Sequence, residues 1–325
     1  MMELDALDRR MVHALQVDAR ASFGRIAEVL GTTDRTLARR YQRLRSAGLV
    51  RVVGVPAARA LGLSEWQVRL RCLPEAAARI AELLAARSDT SWVAIVSGGA
   101  EITCLTRSAD ELVLTTMPRS PRISEVTAQR LLRAVAGVDG WPRRLAALTD
   151  DEVAALQGTA TTPAAPITLS GPDHRLLELL ARDGRVGYTA LATATGWSAP
   201  TVARRVAELR ECGALLFDVD VEPGLFGAAT EAMMWLTVAP DAVEEAGAAL
   251  SRHPDVAFAA VTTGATNLIA YLACPDDDAL YERVLLPIGR IEGVRHVDLT
   301  PIARQVTRSG PPGVAARPPS RRNLA

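Results

Sequence analysis

Apolar residues recur at helical spacing through the first fifty positions. Leu7, Met11 and Leu15 lay one stripe along residues 6–17, and residues 18–21 break it as a turn. Ser22 is placed to cap a second helix ending at Leu30, with Gly31 in the position past its end. Thr33 then caps a third helix over residues 33–48, whose apolar positions Leu37, Tyr41 and Leu44 follow i, i+4, i+7. At about 100° per residue, Arg35, Thr36, Arg39 and Arg43 fall on the opposite side, with Arg40 on the flank. Two helices joined by so short a glycine-containing turn form a helix-turn-helix pattern. Residues 49–55 are β-rich and read as a wing strand with Arg51 at its start.

The period then changes. Residues 67–73 alternate, with Val68, Leu70 and Cys72 on one face, and residues 75–87 return to helical spacing. Short strands are predicted at 91–97 and 102–106 around Gly98 and Gly99, a shorter helix at 108–117 and a last strand at 125–132. The order βαββαβ makes a ferredoxin-like sandwich. The chain then repeats itself. Shifted by 165 positions, residues 4–61 lie on 169–226 without a gap: Asp8 meets Asp173, Asp18 and Arg20 meet Asp183 and Arg185, and the pair Arg39, Arg40 meets Arg204, Arg205. At an offset of 166, strands are predicted at 232–238, 256–262, 267–273 and 294–301, and helices at 240–252 and 276–288.

The expected class is therefore α+β, with two copies of a winged helix-turn-helix domain, each followed by a ferredoxin-like βαββαβ domain. The expected boundaries are 1–56, 62–135, 167–222 and 228–307. Residues 141–166 read as a helical appendage and linker, with Thr149 and Glu152 forming a capping box and GTATTPAAP the linker. Residues 308–325 are proline-rich with scattered arginines, the composition of a disordered tail.

Composition narrows the function by exclusion. Formal net charge is zero, so a polyanion site must be a local patch. All 37 basic residues are arginine. Residues 1–55 hold ten arginines and six acids, a net of +4, and residues 167–222 hold six arginines and eight acids, a net of −2. The four cysteines form no close pair, and the four histidines have no ligand spacing, so no metal or cofactor is expected. No nucleophile motif, phosphate loop or dinucleotide signature survives its context, so an enzyme is not expected. The acidic, amphipathic start is not a secretory signal and no apolar run reaches ~20 residues, so a cytoplasmic location without membrane contact is expected.

A capped helix with a packed back and an arginine-rich front is what a major groove accepts. Double-stranded DNA is the expected partner. In the first copy, Thr33, Asp34, Arg35, Thr36 and Arg39 are expected to enter the groove, with Arg40 and Arg43 on the backbone and Arg51 on the wing. In the second, Ser198, Thr201, Arg204 and Arg205 remain, but Arg35, Arg43 and Arg51 are replaced by Pro200, Glu208 and Leu216, so the first copy is expected to carry most of the binding.

The run Asp18-x-Arg20-x-Ser22, Ile26-Ala27, Gly31-x-Thr33 and Arg40, Leu44, Gly48 resembles the helix-turn-helix of the leucine-responsive/asparagine-operon (Lrp/AsnC) regulators. In the second copy, His253-Pro254-Asp255-Val256, Thr263-Gly264 and Gly293-Val294 match landmarks of that family's effector-sensing RAM domain. The first copy matches these more loosely. The two-in-one layout resembles a fused form of the family. The resemblance implies homo-oligomers through the sensing domains, with the two copies able to pair inside one chain. It also implies a small, amino-acid-like effector near the glycine turns, Ser97, Gly98, Gly99, Ala100 and Glu101 in one copy and Thr263, Gly264, Ala265, Thr266 and Asn267 in the other. Exposed backbone N–H groups there suit a carboxylate, and Glu101 or Asn267 suits an ammonium. Two other readings share this architecture. One is a nucleoid-architectural DNA-binding protein. The other is an enzyme similar to sirohaem decarboxylases, for which histidines in the sensing pocket would be expected and are missing from both turns.

Overall fold

The computed structural model describes residues 4–109, 112–117, 120–137, 147–157 and 167–309. The chain opens with α1 (Ala6–Val17), α2 (Phe23–Leu30), α3 (Asp34–Ser46) and β1 (Val50–Pro56). There follow β2 (Ser64–Cys72), α4 (Pro74–Ala85), β3 (Thr90–Val96), β4 (Glu101–Ser108) and β5 (Ile123–Ala136). The short α5 (Asp150–Leu156) leads to the second half, with α6 (Gly171–Arg182), α7 (Tyr188–Thr195), α8 (Ala199–Glu211) and β6 (Leu215–Val221). Then come β7 (Thr230–Val238), α9 (Val243–Arg252), β8 (Val256–Thr262), β9 (Leu268–Cys274) and β10 (Val294–Gln305).

Asp5, Ser22 and Thr33 each accept the backbone N–H three residues on, so each helix of the first unit starts at a satisfied cap. Met11, Leu15, Ile26, Leu37 and Leu44 meet in its fully buried centre. The second unit does the same with Leu176, Leu180, Leu191, Val202 and Leu209. The expected wing strands do not stand alone. β1 and β6 pair antiparallel from Val50–Val221 to Pro56–Leu215, centred on Val53–Asp218. A strand of this length leaves a row of unpaired backbone groups, and each copy supplies the partner the other lacks.

The other eight strands close into a barrel in the order β10-β3-β4-β2-β5-β8-β9-β7. Each half contributes four neighbours, and the seams are β10 on β3 and β5 on β8. The sheet pairing anticipated for two sensing domains is thus made inside one chain. It explains why β5 runs past the expected 125–132: Leu131 to Ala136 cross over to pair with Thr262 to Ala259. On the outer face of the first half, Val68, Leu70, Ile102 and Cys104 pack on α4, while Ala94, Val96, Met233, Trp235 and Tyr271 meet inside the barrel.

Three other expectations change. A helix at 108–117 is replaced by a longer β4 and a 3₁₀ turn, Val113–Thr116; the β-branched run Val113, Thr115, Thr116 disfavours an α-helix. The helix expected at 276–288 is broken into Asp277–Ala279, a π-helical turn Leu280–Leu285 and Leu286–Gly289. Pro287 has no N–H to return to the Arg283 carbonyl, and His253 Nε2 bonds to that oxygen at 2.6 Å instead. Residues 308 and 309, expected to open a disordered tail, are instead bound to the fold. Arg308 donates to Glu222 at 3.3 Å and lies 3.5 Å from Glu231, and Ser309 donates to Asp218, tying the barrel to the head sheet. The rest of that tail, the linker 158–166 and residues 141–146 of the appendage lie outside the described residues. Among the described residues no helix is long and apolar enough to cross a membrane.

Candidate functional site

α3 is held by its buried side, Leu37, Tyr41 and Leu44, against α1 and α2. That fixes what faces outward. Thr33, Asp34, Arg35 and Arg39 are exposed and Thr36 half-buried, with Thr33 Oγ capping the Thr36 N–H at 3.2 Å. The other arginines are engaged within the chain. Arg40 donates to Asp5 at 2.6 Å and to Asp8 at 2.9 Å, and Arg43 donates to Asp8 at 2.6 Å. Asp8 is 1% exposed, so these two guanidiniums neutralise a buried carboxylate that joins α1 to α3. The Asp8 backbone N–H and Arg40 hold the Asp5 carboxyl below its usual range. Arg51, expected to touch DNA from the wing, donates to Asp220 across the β1–β6 pair at 3.0 Å.

The second copy repeats the frame without the front. Arg205 donates to Asp173 at 2.8 and 3.1 Å, the counterpart of Arg40 on Asp8. Burial raises the Asp173 carboxyl, and Arg205 and Ser170 more than reverse this. Ser198 caps the Thr201 N–H at 3.3 Å. Arg204 is exposed but lies 3.5 Å from Glu208. Among the residues expected at DNA, then, Arg40, Arg43, Arg51 and Arg205 already hold carboxylates, and Arg35 and Arg39 face solvent.

The two heads are locked by exchanged contacts at repeat-equivalent positions. Arg20 donates to the carbonyls of Gly184 at 2.7 Å and Val186 at 3.3 Å, and Arg185 donates to those of Ala19 at 2.6 Å and Ala21 at 2.9 Å. Each guanidinium also stacks on aromatic rings, Arg20 on Tyr188 and Arg185 on Phe23. Arg45 pairs with Asp183 at 2.9 Å and Arg210 with Asp18 at 3.1 Å. Together with the central Val53–Asp218 pair, these contacts describe a local two-fold axis between the heads. Sequence reasoning did not find this clamp. Its signal was present as opposite charges at 18/210 and 45/183, each pair linking one copy to the other.

The two glycine turns differ as well. At the first, Ser97, Gly98 and Gly99 carry φ of 52°, 64° and 101°, and nothing lies within 4 Å of where a Cβ on either glycine would sit. Glu101 beside them is not free for an ammonium. It accepts from Arg69 at 2.8 Å, from Arg71 at 3.0 and 3.2 Å and from Ser97 at 3.0 Å. Burial pushes its carboxyl up, and these donors bring it below the usual range. Arg69 also reaches Asp298 at 2.9 Å and lies over the buried Trp235 ring at 3.8 Å. Arg69, Arg71, Glu101, Glu125, Thr127 and Asp298 line a polar cavity of about 150 Å³. At the second turn, Gln129 from the other half donates to the Thr263 carbonyl at 3.0 Å and the Thr266 carbonyl at 2.6 Å. Asn267 is tied to the Val238 backbone at 2.9 and 2.8 Å, and Thr237 donates to the Ala265 carbonyl. That turn is filled by protein.

The AsnC-type helix-turn-helix domain matches residues 4–45 and again 172–210, and the Lrp/AsnC ligand-binding domain matches residues 231–312. The HTH-type transcriptional regulator FL11 of Pyrococcus furiosus is 27% identical over 123 residues, 38% of this chain and 81% of that protein. LrpA1 of Halobacterium salinarum is 28% identical over 38% of this chain and 87% of its own length. The siroheme decarboxylase NirDL, solved with an iron-uroporphyrin III analogue, has the same fold at a TM-score of 0.63. It is 16% identical over 94% of this chain and 93% of its own. With its helix-turn-helix domain matched twice, the chain belongs to the Lrp/AsnC family in a tandem form.

Proposed function

We propose that the chain is a sequence-specific, DNA-binding transcriptional regulator that inserts α3, and less strongly α8, into the major groove. The observation that carries this reading is the front of α3. Arg35 and Arg39 are exposed beside a capped helix end, while the neighbouring Arg40 and Arg43 anchor the helix to Asp8. Thr33, Asp34 and Thr36 complete the reading surface, with Ser198, Thr201 and Arg204 its lesser counterpart. Arg40, Arg43, Arg51 and Arg205 act as positioning residues. The domains are those bounded by 1–56, 62–135, 167–222 and 228–307, the second and fourth being ferredoxin-like sensing domains, and further assembly between chains uses surfaces other than the paired sheets.

The first turn and the polar cavity beside it suit the carboxylate of a small effector such as an amino acid. Gly98 and Gly99 leave room and backbone N–H groups for a carboxylate, and the cavity, at ~30 Å³ per water, has space for about five waters. The second turn, closed by Gln129, takes no effector. A genome-wide binding map with and without candidate amino acids tests both parts. Discrete sites whose occupancy responds to one amino acid are the expected result, and featureless coverage would instead mark a nucleoid-architectural protein. An enzyme on the same architecture would bind a tetrapyrrole. Addition of sirohaem to the purified chain is expected to leave the haem absorbance bands unshifted.

A further inference from the structure

We infer that the duplex this chain recognises lacks dyad symmetry: one half-site carries guanines for the first head, and the other is a looser, thymine-bearing half-site for the second. This rests on the DNA-binding reading above.

A pair of identical heads about a two-fold axis reads an inverted repeat, because each head meets the same base edges. Here the frame keeps the axis. The exchanged Arg20 and Arg185 contacts, the crossed Arg45–Asp183 and Arg210–Asp18 pairs and the β1–β6 register all obey it. The reading surfaces do not. Asp34 corresponds to Ala199, Arg35 to Pro200 and Gln42 to Ala207, and Arg43, held by Asp8, corresponds to Glu208. The first head offers two exposed guanidiniums, each able to grip guanine O6 and N7, and a carboxylate able to accept from cytosine N4. The second offers the small apolar surface of Ala199 and Pro200, suited to a thymine methyl. Its Arg204 is drawn 3.5 Å from Glu208, which also repels phosphate.

The clamp makes this difference matter. Heads on flexible tethers could trade half-sites or bind one at a time. These share a sheet, two reciprocal ion pairs and two half-buried arginine exchanges, so when the first head is in register the second is delivered to a fixed place on the duplex. The site therefore has a direction, and the chain sits on it one way round.

Selection of the full-length chain against a random duplex pool, at one fixed salt concentration, reads this directly. The expected motif has one strongly constrained, guanine-containing half and one weakly constrained half. Three duplexes that each bind one chain are then compared. A palindrome built from the weak half is expected to bind at least about tenfold worse than the selected site, and a palindrome of the strong half no better than it. The variant A199D/P200R/A207Q/E208R gives the second head the first head's face. It is expected to reverse the order, preferring the strong-half palindrome by about tenfold or more. An inverted-repeat motif with equal losses at the two halves would overturn the inference while leaving the regulator reading intact. Binding with no sequence selection would overturn the regulator reading, and the inference with it. Circular dichroism of the variant checks its fold, and the single change Glu208→Arg, on an exposed position, serves as a milder second test in the same direction.

Discussion

The two heads of this chain share a skeleton and differ in what they present. Positions that build the frame recur in both: Asp8 and Asp173 receive an arginine from the third helix, Asp18 and Asp183 receive one from the opposite head, and Arg20 and Arg185 are exchanged between them. Positions that face solvent have separated, Asp34 to Ala199 and Arg35 to Pro200. A buried carboxylate stripped of its partner is costly, whereas a solvent-facing side chain can change at little cost in stability. The internal repeat therefore separates residues that hold the heads from residues that can read a ligand.

The comparison is broken most severely at the buried carboxylates. Asp8→Ala leaves Arg40 with Asp5 alone and Arg43 without its carboxylate, and Asp173→Ala leaves Arg205 with Glu208. Each loss of charge-assisted hydrogen bonds to a buried carboxylate is expected to cost about 1.5–3 kcal/mol, read by equilibrium denaturation in urea. Near-equal losses fit a symmetric frame. A large loss at Asp8 with none at Asp173 would mean that the second head is held by other contacts.

The reading surfaces should respond unequally. Arg39→Ala is expected to weaken DNA binding by about 1–3 kcal/mol, and Arg204→Ala by less than about 0.5 kcal/mol, in titrations at one salt concentration. Equal losses would restore the second head to full partnership.

Much of this was legible in the sequence. The caps at Ser22 and Thr33 and the apolar stripes placed the helices of the first head, and the ungapped repeat carried them over to the second, because capping and periodicity are local signals. What local signals could not place were the contacts between copies. The sequence assigned Arg40, Arg43 and Arg51 to phosphate because they are arginines on or near the outward side. Only the fold brings Asp8 under the first two and Asp220 beside the third. Glu101 was read as an open acceptor for the same reason, and Arg69 and Arg71, two strand positions apart on β2, close over it. The pairing of β1 with β6, and the crossing of β5 to β8, depend on residues more than a hundred positions apart.

The glycine turns give a smaller contrast. Gly98→Ala meets open space and is expected to cost only the left-handed backbone, about 1 kcal/mol. Gly264→Ala adds a Cβ 2.7 Å from Gln129 Nε2, displacing the amide that ties the two halves together there, and is expected to cost about 2 kcal/mol. Thermal denaturation of the two variants ranks them, and a reversed order would show that the Gln129 contact is easily given up.

The subtlest difference is an attachment that, among the described residues, is found on the first head. α5 packs Leu156 into that head's core, Arg10 pairs with Glu152, and His13 Nδ1 accepts the Leu148 N–H at 3.0 Å. Burial lowers the His13 pKa below 6.5, partly opposed by the Glu152 charge. A histidine whose folded pKa is depressed binds fewer protons folded than unfolded. Its contribution is therefore complete above pH 6.5 and is lost as pH falls from there through the folded value. Once protonated, Nδ1 is a donor and cannot accept the Leu148 N–H. Hydrogen exchange in α5, corrected for the intrinsic pH dependence of amide exchange, is expected to lose protection between pH 7.5 and 5.5 while α8 keeps its own. His13→Gln removes the titration, so α5 should then respond to pH no more than α8 does. A wild-type α5 whose protection stays flat over that range would mean that Leu156 and Arg10 hold the attachment without His13, and that the acceptor at Leu148 adds nothing measurable to it.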